Sequence, residues 1–265
     1  GRLLIDGQGA GESRPQGYAH YLQVMQAQRP TSDAGEQAWD EWAGKVLAAF
    51  DQFQLLCAVR KGAWGVEALN ERIAEALVRR NLLEQAYGWY EGRPVLVTRN
   101  DYSLGLMNGD IGIALRLPEP PESPGAPVRE VLRVVFPRND GSGTLRHILP
   151  SRLSAVETVF AMTVHKSQGS EFAEVLLALP DQPSPLLTRA LFYTGITRAK
   201  RRVEIWALPA RLAEAVSTRA ERAAGLAERL GSGDARLKGV DSRGEAFTRE
   251  LGDADHVQAL TAILE

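Results

Sequence analysis

One polar segment carries most of the side chains that could bind a phosphorylated ligand. Residues 163–172 read TVHKSQGSEF and lie between two short apolar runs. The hydroxyl and amide groups can donate hydrogen bonds, Lys166 supplies a cation, and Gly169 lets the backbone approach a ligand closely. These groups suit phosphate and sugar, and Glu171 can accept from a sugar hydroxyl. A site for a phosphorylated ligand is therefore predicted here.

Apolar runs typical of strands flank this segment and a second one. Residues 157–162 precede the first segment and residues 175–179 follow it. The second segment, LFYTGITRAK (191–200), runs into another strand at 202–206. A strand that ends in a tight polar turn is typical of the edge where open α/β sheets keep their ligand groups. We therefore expect an α/β fold with both segments at the ends of its strands.

The two segments resemble motifs V and VI of the superfamily 1 DNA helicases in sequence, order and spacing. The similarity is strongest to the RecD-type helicases, in particular to the alpha subunit family of exodeoxyribonuclease V, and LLCAVRKGAWGVEALN (55–70) resembles motif IV. The resemblance covers roughly residues 50–226. Such enzymes hold ATP between two RecA-like domains and draw single-stranded DNA across them. The resemblance implies that this chain supplies the second domain.

The resemblance also implies roles for individual residues. Arg198 is expected to reach the γ-phosphate of ATP as an arginine finger, the one catalytic residue expected in this chain. The residues expected to bind ATP are Arg60, Lys61, Gln168, Gly169, Glu171 and Arg198. Those expected to bind DNA are Thr163, His165, Lys166 and Ser167. No metal ligand is expected. Structural alternatives stay open, since Arg60 or Lys61 can cap a turn or meet solvent, and Arg198 can neutralise a helix end.

The sequence contains no phosphate loop. The glycines of GQGAG (7–11) are not followed by Gly-Lys-Ser/Thr, and Gly44-Lys45 is followed by Val46 where a hydroxyl is needed. Asp40-Glu41 lacks the apolar strand that precedes a magnesium-binding acid. We therefore expect the complete protein to hold ATP and Mg²⁺ through an N-terminal motor domain, and this chain alone to be inactive.

The family also implies partners and a direction of movement. Single-stranded and double-stranded DNA are the expected substrates, bound through the backbone and without sequence preference. The beta and gamma subunits of exodeoxyribonuclease V are the expected protein partners, in 5′-to-3′ unwinding for double-strand break repair and recombination. Two alternatives remain: a stand-alone RecD-like or relaxase-type helicase, and a non-enzymatic β-barrel interaction module.

The region after Arg93 changes from helical to short-strand patterns. Four short strands are predicted at 94–98, 112–115, 131–136 and 144–149, separated by turns rich in Gly, Asn, Asp and Pro. They indicate a small barrel or meander. In the resemblance this is an SH3-like β-barrel inserted into a RecA-like parallel sheet with helices on both faces. The expected domains are N-terminal loop and helices (1–52), RecA-like domain (53–103 and 154–226), barrel (104–153) and C-terminal appendage (227–265).

Four helices are predicted from the spacing of apolar residues, at 18–28, 31–52, 66–82 and 210–230, and the second is expected to be capped by Thr31-Ser-Asp.

Composition limits the possible environment and partners of the chain. Cys57, the single cysteine, lies in an apolar run, which indicates a buried thiol and a cytoplasmic protein. No apolar run reaches the ~18 residues of a membrane span, so no membrane partner is expected. The net charge of −2 requires any DNA site to be local.

Overall fold

The computed structural model describes residues 4–5, 17–119, 128–138 and 140–219. The helices are α1 (Ala19–Ala27), α2 (Glu36–Phe50), α3 (Val66–Arg79), α4 (Arg189–Ile196) and α5 (Pro209–Ser217), with a 3₁₀ turn at Pro150–Arg152. The strands are β1 (Phe53–Cys57), β2 (Pro94–Val97), β3 (Ile111–Glu119), β4 (Arg129–Pro137), β5 (Leu145–Ile148), β6 (Val156–Thr158), β7 (Ala161–Thr163), β8 (Phe172–Ala178) and β9 (Ala199–Trp206). These elements belong to the compact unit Gly1–Ala220.

Some predicted segments lie outside the described residues. They are most of the N-terminal loop, most of the Pro-rich stretch at 118–127, the end of the helix at 210–230 and the appendage at 227–265. Within the described part of the chain, no helix combines the length and the apolar character that crossing a membrane requires.

The centre of the fold is a four-stranded parallel sheet in the order β7-β1-β8-β9. Every residue of β1 is buried, as expected for a parallel strand with a neighbour on each side. Cys57 lies within this core, and burial raises the pKa of its thiol to about 12, so the thiol stays neutral. Helix α2 lies against β1, α3 against β7, and α4 against β8 and β9. The predicted α/β fold with a parallel sheet is confirmed.

The register of this sheet defines two edges. At the carboxyl edge, Thr163 at the end of β7 pairs with Cys57 at the end of β1. At the amino edge, Phe172 pairs with Ala199, and Phe53 pairs with Glu174 in the neighbouring ladder. A strand rises about 3.3 Å per residue, so the two ends of β1 are about 13 Å apart. The chain between β7 and β8 therefore passes from one edge of the sheet to the other.

Helix α3 is tied to the outer strand β7 by one side chain. Buried Asn70 donates from Nδ2 to the Ala161 carbonyl at 2.9 Å and accepts the Ala161 N–H at Oδ1, also at 2.9 Å. Asn70 thus bonds both backbone groups of Ala161 as a neighbouring strand would. This contact fixes the strand that ends at Thr163.

A second, antiparallel sheet is inserted between β1 and β7. Its strands follow the order β5-β4-β3-β2-β6. The turn before β3 uses Gly109 at φ +101°, a backbone conformation that favours glycine. The sheet covers residues 94–158, which extends beyond the 104–153 range predicted for the insertion on both sides. The expected domain bounds placed β2 and β6 in the parallel domain, although 94–98 was also one of the four predicted short strands. In the structure these two strands pair with each other in the antiparallel sheet.

The single strand predicted at 157–162 is wrong. It divides at Val159 and Phe160 into β6 of the antiparallel sheet and β7 of the parallel sheet. Both residues of the break are buried, so the apolar pattern continues while the pairing partner changes. Side-chain periodicity alone cannot reveal a change of sheet inside an apolar run.

The helices before β1 share the main core. The Tyr18 hydroxyl donates to the Phe160 carbonyl and accepts the Leu55 N–H at 3.0 Å, so it joins β1 to the start of β7. Burial raises the pKa of Tyr18, which keeps this hydroxyl protonated. Helix α2 follows Gly35 with no side-chain cap, in place of the cap predicted at Thr31-Ser-Asp.

Candidate functional site

The crossover from β7 to β8 (residues 164–171) holds the predicted phosphate-binding groups. Thr163 begins its turn: its carbonyl accepts the Lys166 N–H at 2.9 Å, and its Oγ1 accepts the same N–H at 3.3 Å. The turn tightens at Gly169, whose φ of +87° lies in the left-handed region. No atom lies within 4 Å of where a Gly169 Cβ would stand, so backbone conformation and not crowding favours glycine there.

The structure separates the four residues predicted to bind DNA. Thr163 and Lys166 are partly buried at the carboxyl edge, and His165 is exposed beside them. Ser167 is fully buried, and its Oγ donates to the Val164 carbonyl at 2.8 Å. The Ser167 hydroxyl therefore stabilises the turn from inside, where a DNA strand does not reach it in this conformation.

A network of one carboxylate and two cations lies near Thr163. Glu157 of β6 pairs through Oε1 with Lys166 Nζ, and its Oε2 lies 3.4 Å from Arg60 Nη2. Arg60 also lies 3.9 Å from Glu67 of α3, a pair that is about half exposed on both sides. The backbone of Arg60 accepts the Glu67 N–H at 3.1 Å. Arg60, which was predicted to face the nucleotide, is thus linked through Glu157 to Lys166, which was predicted to bind DNA.

The loop that carries Arg60 is shaped by two glycines. Gly62 has a φ of +92°, and a Cβ at Gly65 would stand 2.6 Å from the Arg60 carbonyl oxygen. Such a contact with backbone cannot be relieved by a rotamer change, so this tight turn requires glycine. Exposed Lys61 lies at the outer side of this turn, next to Arg60. The turn therefore presents two successive basic residues where β1 ends.

Arg198 lies at the opposite, amino edge and is held by neutral oxygen atoms. Its Nη1 donates to the Ser170 carbonyl at 3.2 Å, its Nε to the Thr194 carbonyl at 3.2 Å and its Nη2 to Thr197 Oγ1 at 3.4 Å. The Arg198 carbonyl accepts the Phe172 N–H at 2.8 Å. These bonds join the two sequence segments in one site and orient the guanidinium without cancelling its charge.

The remaining residues predicted to bind ATP lie along the second half of the crossover. Gln168 and Gly169 are exposed. Glu171 is exposed and lies 3.5 Å from Lys200 Nζ. Beside them a pocket of about 440 Å³ lies between the end of α2, the Gly109–Ile111 turn and residues 170–172. The pocket is thus lined by Ser170, which Arg198 contacts, whereas Arg60 lies at the carboxyl edge with Lys166.

Two contributors to the site carried no sequence signal. Glu157 and Asn70 act from 9 and 91 residues away on Lys166 and Ala161, respectively. A carboxylate or an amide in a strand or helix is ordinary in composition. The arrangement of the two sheets brings Glu157 to Lys166, and the packing of α3 against β7 brings Asn70 to Ala161.

Similar proteins extend these observations. A family profile described as the UvrD-like helicase C-terminal domain matches residues 158–205. The chain is 41% identical over 186 residues to the RecBCD enzyme subunit RecD of Mycolicibacterium smegmatis, a match that covers 70% of this chain and 30% of that protein. RecD of Mycobacterium tuberculosis is 43% identical, also over 186 residues, which is 70% of this chain and 30% of that protein. RecD of Haemophilus influenzae is 33% identical over 201 residues, which is 74% of this chain and 28% of the relative.

The chain therefore spans less than a third of the length of these relatives. Among solved structures, the Pif1 helicase from Bacteroides in complex with ADP-AlF3 and single-stranded DNA aligns with a TM-score of 0.38 and 14% identity, over 72% of this chain and 46% of that one.

Proposed function

We propose that this chain, which belongs to the RecD-type superfamily 1 DNA helicases and corresponds to their C-terminal part, acts as the second motor domain of an ATP-dependent DNA helicase. Its relatives are named as subunits of the RecBCD enzyme. By that analogy the complete protein is the alpha subunit of exodeoxyribonuclease V, a cytoplasmic enzyme of double-strand break repair and recombination. The beta and gamma subunits are then its protein partners, and movement is 5′-to-3′.

The observation that carries the proposal is the placement of the two motifs. Arg198 and Ser170 meet at the amino edge, while Thr163, Lys166 and Arg60 lie at the carboxyl edge. A translocating motor needs two such separated sites, because nucleotide state and DNA grip must be able to change at different places. The crossover 164–171 links them directly.

At the amino edge the proposed ligand is ATP bound to the first motor domain. That domain would supply the phosphate loop and the Mg²⁺ site, and ATP with Mg²⁺ would complete this edge from outside. Arg198 would approach the γ-phosphate, where a planar and permanently charged fork stabilises the charge of the transition state. Glu171 and Gln168, which are exposed, would meet the ribose or base, and Gly169 would let the backbone close on them.

At the carboxyl edge the proposed ligand is single-stranded DNA. The Thr163 hydroxyl, Lys166, His165 and the basic pair Arg60 and Lys61 offer contacts to phosphate, so Arg60 and Lys61 move from the nucleotide group to the DNA group. Such contacts bind the backbone and predict weak sequence preference. The antiparallel sheet is proposed to be the SH3-like barrel of the family, on a motor domain with helices on both faces of its sheet.

The test uses the purified 265-residue chain. Fluorescence anisotropy at about 50 mM salt, where phosphate contacts are strong, is expected to show equal binding of oligo(dT) and a mixed-sequence strand. Affinity should fall as salt rises. Steady-state ATP hydrolysis should be absent. ATP turnover by this chain that Arg198→Ala abolishes, or a lack of any binding to single-stranded DNA, would contradict the proposal.

A further inference from the structure

Glu157 forms ion pairs with two of the basic residues at the proposed DNA edge, Lys166 and Arg60. One oxygen of its carboxylate pairs with Lys166 and the other with Arg60. Each cation comes from a different loop of the parallel sheet, whereas Glu157 belongs to β6 of the antiparallel sheet. A single acidic side chain from one sheet thus holds basic groups from two loops of the other.

All three charged groups remain accessible to solvent. The Glu157 and Lys166 side chains are 28% and 27% exposed, and that of Arg60 is 49% exposed. The Arg60–Glu157 pair is half exposed at Arg60, and water and the loss of side-chain freedom weaken such pairs. The Lys166–Glu157 pair is partly buried, so an anion that replaces the carboxylate must offset the loss of this contact.

A phosphate group is the anion that fits the two cations. The Arg60 guanidinium can bind phosphate oxygens with its fork, and Lys166 can add a point charge beside it. Two negative groups that share these cations repel each other, since a carboxylate within about 4 Å of a phosphate repels it by about 1 kcal/mol even in bulk water. Binding of phosphate and pairing with Glu157 therefore oppose each other.

We propose that Glu157 is an internal competitor for phosphate: it holds Arg60 and Lys166 in the free chain and is displaced when a phosphate of the ligand binds them. The inference rests on the proposed function, from which it takes the edge as a DNA site. Displacement also breaks the contacts of Glu157 with Lys166 and Arg60. Phosphate binding therefore changes how β6 of the antiparallel sheet is held against the two loops. The phosphate can come from a DNA backbone or from a nucleotide.

The experiment compares Glu157→Gln with Glu119→Gln in the 265-residue chain. Glu119 pairs with Arg133 at 3.2 Å at the far end of β3, so its substitution removes the same charge from an ion pair away from the site. Oligo(dT) binding is measured by anisotropy from about 50 to 200 mM salt. Loss of the competitor should raise affinity about fivefold for Glu157→Gln. The slope of log affinity against log salt should steepen by up to about 0.7.

Further arms separate the outcomes. ADP binding without DNA identifies the source of the phosphate: a gain of affinity for ADP but not for oligo(dT) assigns the site to a nucleotide. The gain should vanish when Lys166→Ala and Arg60→Ala are added. If Glu157→Gln fails to fold, Glu157→Asp, whose shorter side chain reaches both cations poorly, should give a smaller gain.

Two results would overturn the inference in distinguishable ways. If the wild-type chain binds no oligo(dT), both the proposed function and the role proposed for Glu157 are contradicted. If the wild-type chain binds oligo(dT) while Glu157→Gln gains no affinity over Glu119→Gln for either oligo(dT) or ADP, the role proposed for Glu157 is contradicted and the proposed function is not. A lower unfolding temperature for Glu157→Gln without a gain in affinity would show that the carboxylate is only structural.

Discussion

The two ends of the crossover 164–171 hold their cations in different ways. At the carboxyl edge, Lys166 and Arg60 share the carboxylate of Glu157, which offsets one of their two positive charges. At the amino edge, Arg198 is oriented by two carbonyl oxygens and a hydroxyl, which leave its charge intact. In the proposed function Arg198 meets a phosphate brought by another domain, for which a pre-oriented and fully charged guanidinium is favourable. Lys166 and Arg60 are proposed to bind and release a moving DNA strand, for which a weak competing carboxylate is favourable.

The largest expected effect is at the amino edge. In the complete helicase, Arg198→Ala should lower ATP turnover by about 10³-fold, as loss of an arginine finger does. Arg198→Lys should recover little, because an ammonium group cannot replace the bidentate fork. Steady-state ATP hydrolysis with saturating single-stranded DNA measures both.

Arg201→Ala is the matched control for that prediction. Arg201 is exposed on β9, the strand that Arg198 precedes, and it donates to Gln52 Oε1 at 3.0 Å and not to Ser170. Its removal should change turnover by less than about twofold, as surface substitutions away from a site do. Equal losses for Arg198→Ala and Arg201→Ala would mean that general charge, and not the oriented guanidinium, matters at this edge.

A smaller effect is expected from Asn70, which holds β7, the strand that ends at Thr163. Asn70→Ala leaves the N–H and C=O groups of Ala161 without their partner on the buried side of β7. The free energy of unfolding should fall by about 2 kcal/mol. Urea denaturation measures this loss, and Glu71→Ala, an exposed neighbour on α3, should stay within about 0.5 kcal/mol of wild type. In folded Asn70→Ala protein, oligo(dT) affinity should fall because Thr163 is less well fixed. An unchanged unfolding free energy would show that water replaces the amide.

The smallest effect is expected at Gly195, which lies between the two ends. A Cβ there would stand 3.1 Å from Leu177 Cδ1 and 3.3 Å from Val164 Cγ2, both atoms of side chains that can shift. Removing a glycine from α4 gains about 1 kcal/mol of helix propensity, and the tight contacts offset part of it. Gly195→Ala should therefore change the free energy of unfolding by less than about 1 kcal/mol. A loss above 2 kcal/mol, measured by the same denaturation, would show that Val164 and the crossover cannot move.

The sequence predicted most elements of the parallel sheet because their patterns are local. The apolar runs around Cys57, at 175–179 and at 202–206 became β1, β8 and β9, and the stripe after Gly65 became α3. It did not predict the division of 157–162, where burial continues while the pairing partner changes.

The sequence predicted which types of residue form the site better than it predicted how they are arranged. Both motif segments indicated phosphate chemistry, and the structure joins them where Arg198 donates to Ser170. Thr163 and Arg198 lie at opposite edges because of the pairing register of the strands. This register cannot be read from one sequence segment alone. For the same reason the sequence grouped Arg60 with the nucleotide-binding residues, whereas the structure links it through Glu157 to Lys166, and no signal in the sequence indicated Glu157 or Asn70.

The most direct test of the two-edge account is the affinity for oligo(dT), without nucleotide, of the complete helicase and its variants. Arg198→Ala should leave this affinity unchanged, because the guanidinium lies at the amino edge. Thr163→Ala should weaken it by about tenfold, the value of one hydrogen bond to a charged group. If Arg198→Ala loses DNA binding while Thr163→Ala keeps it, the two edges have been assigned the wrong way round.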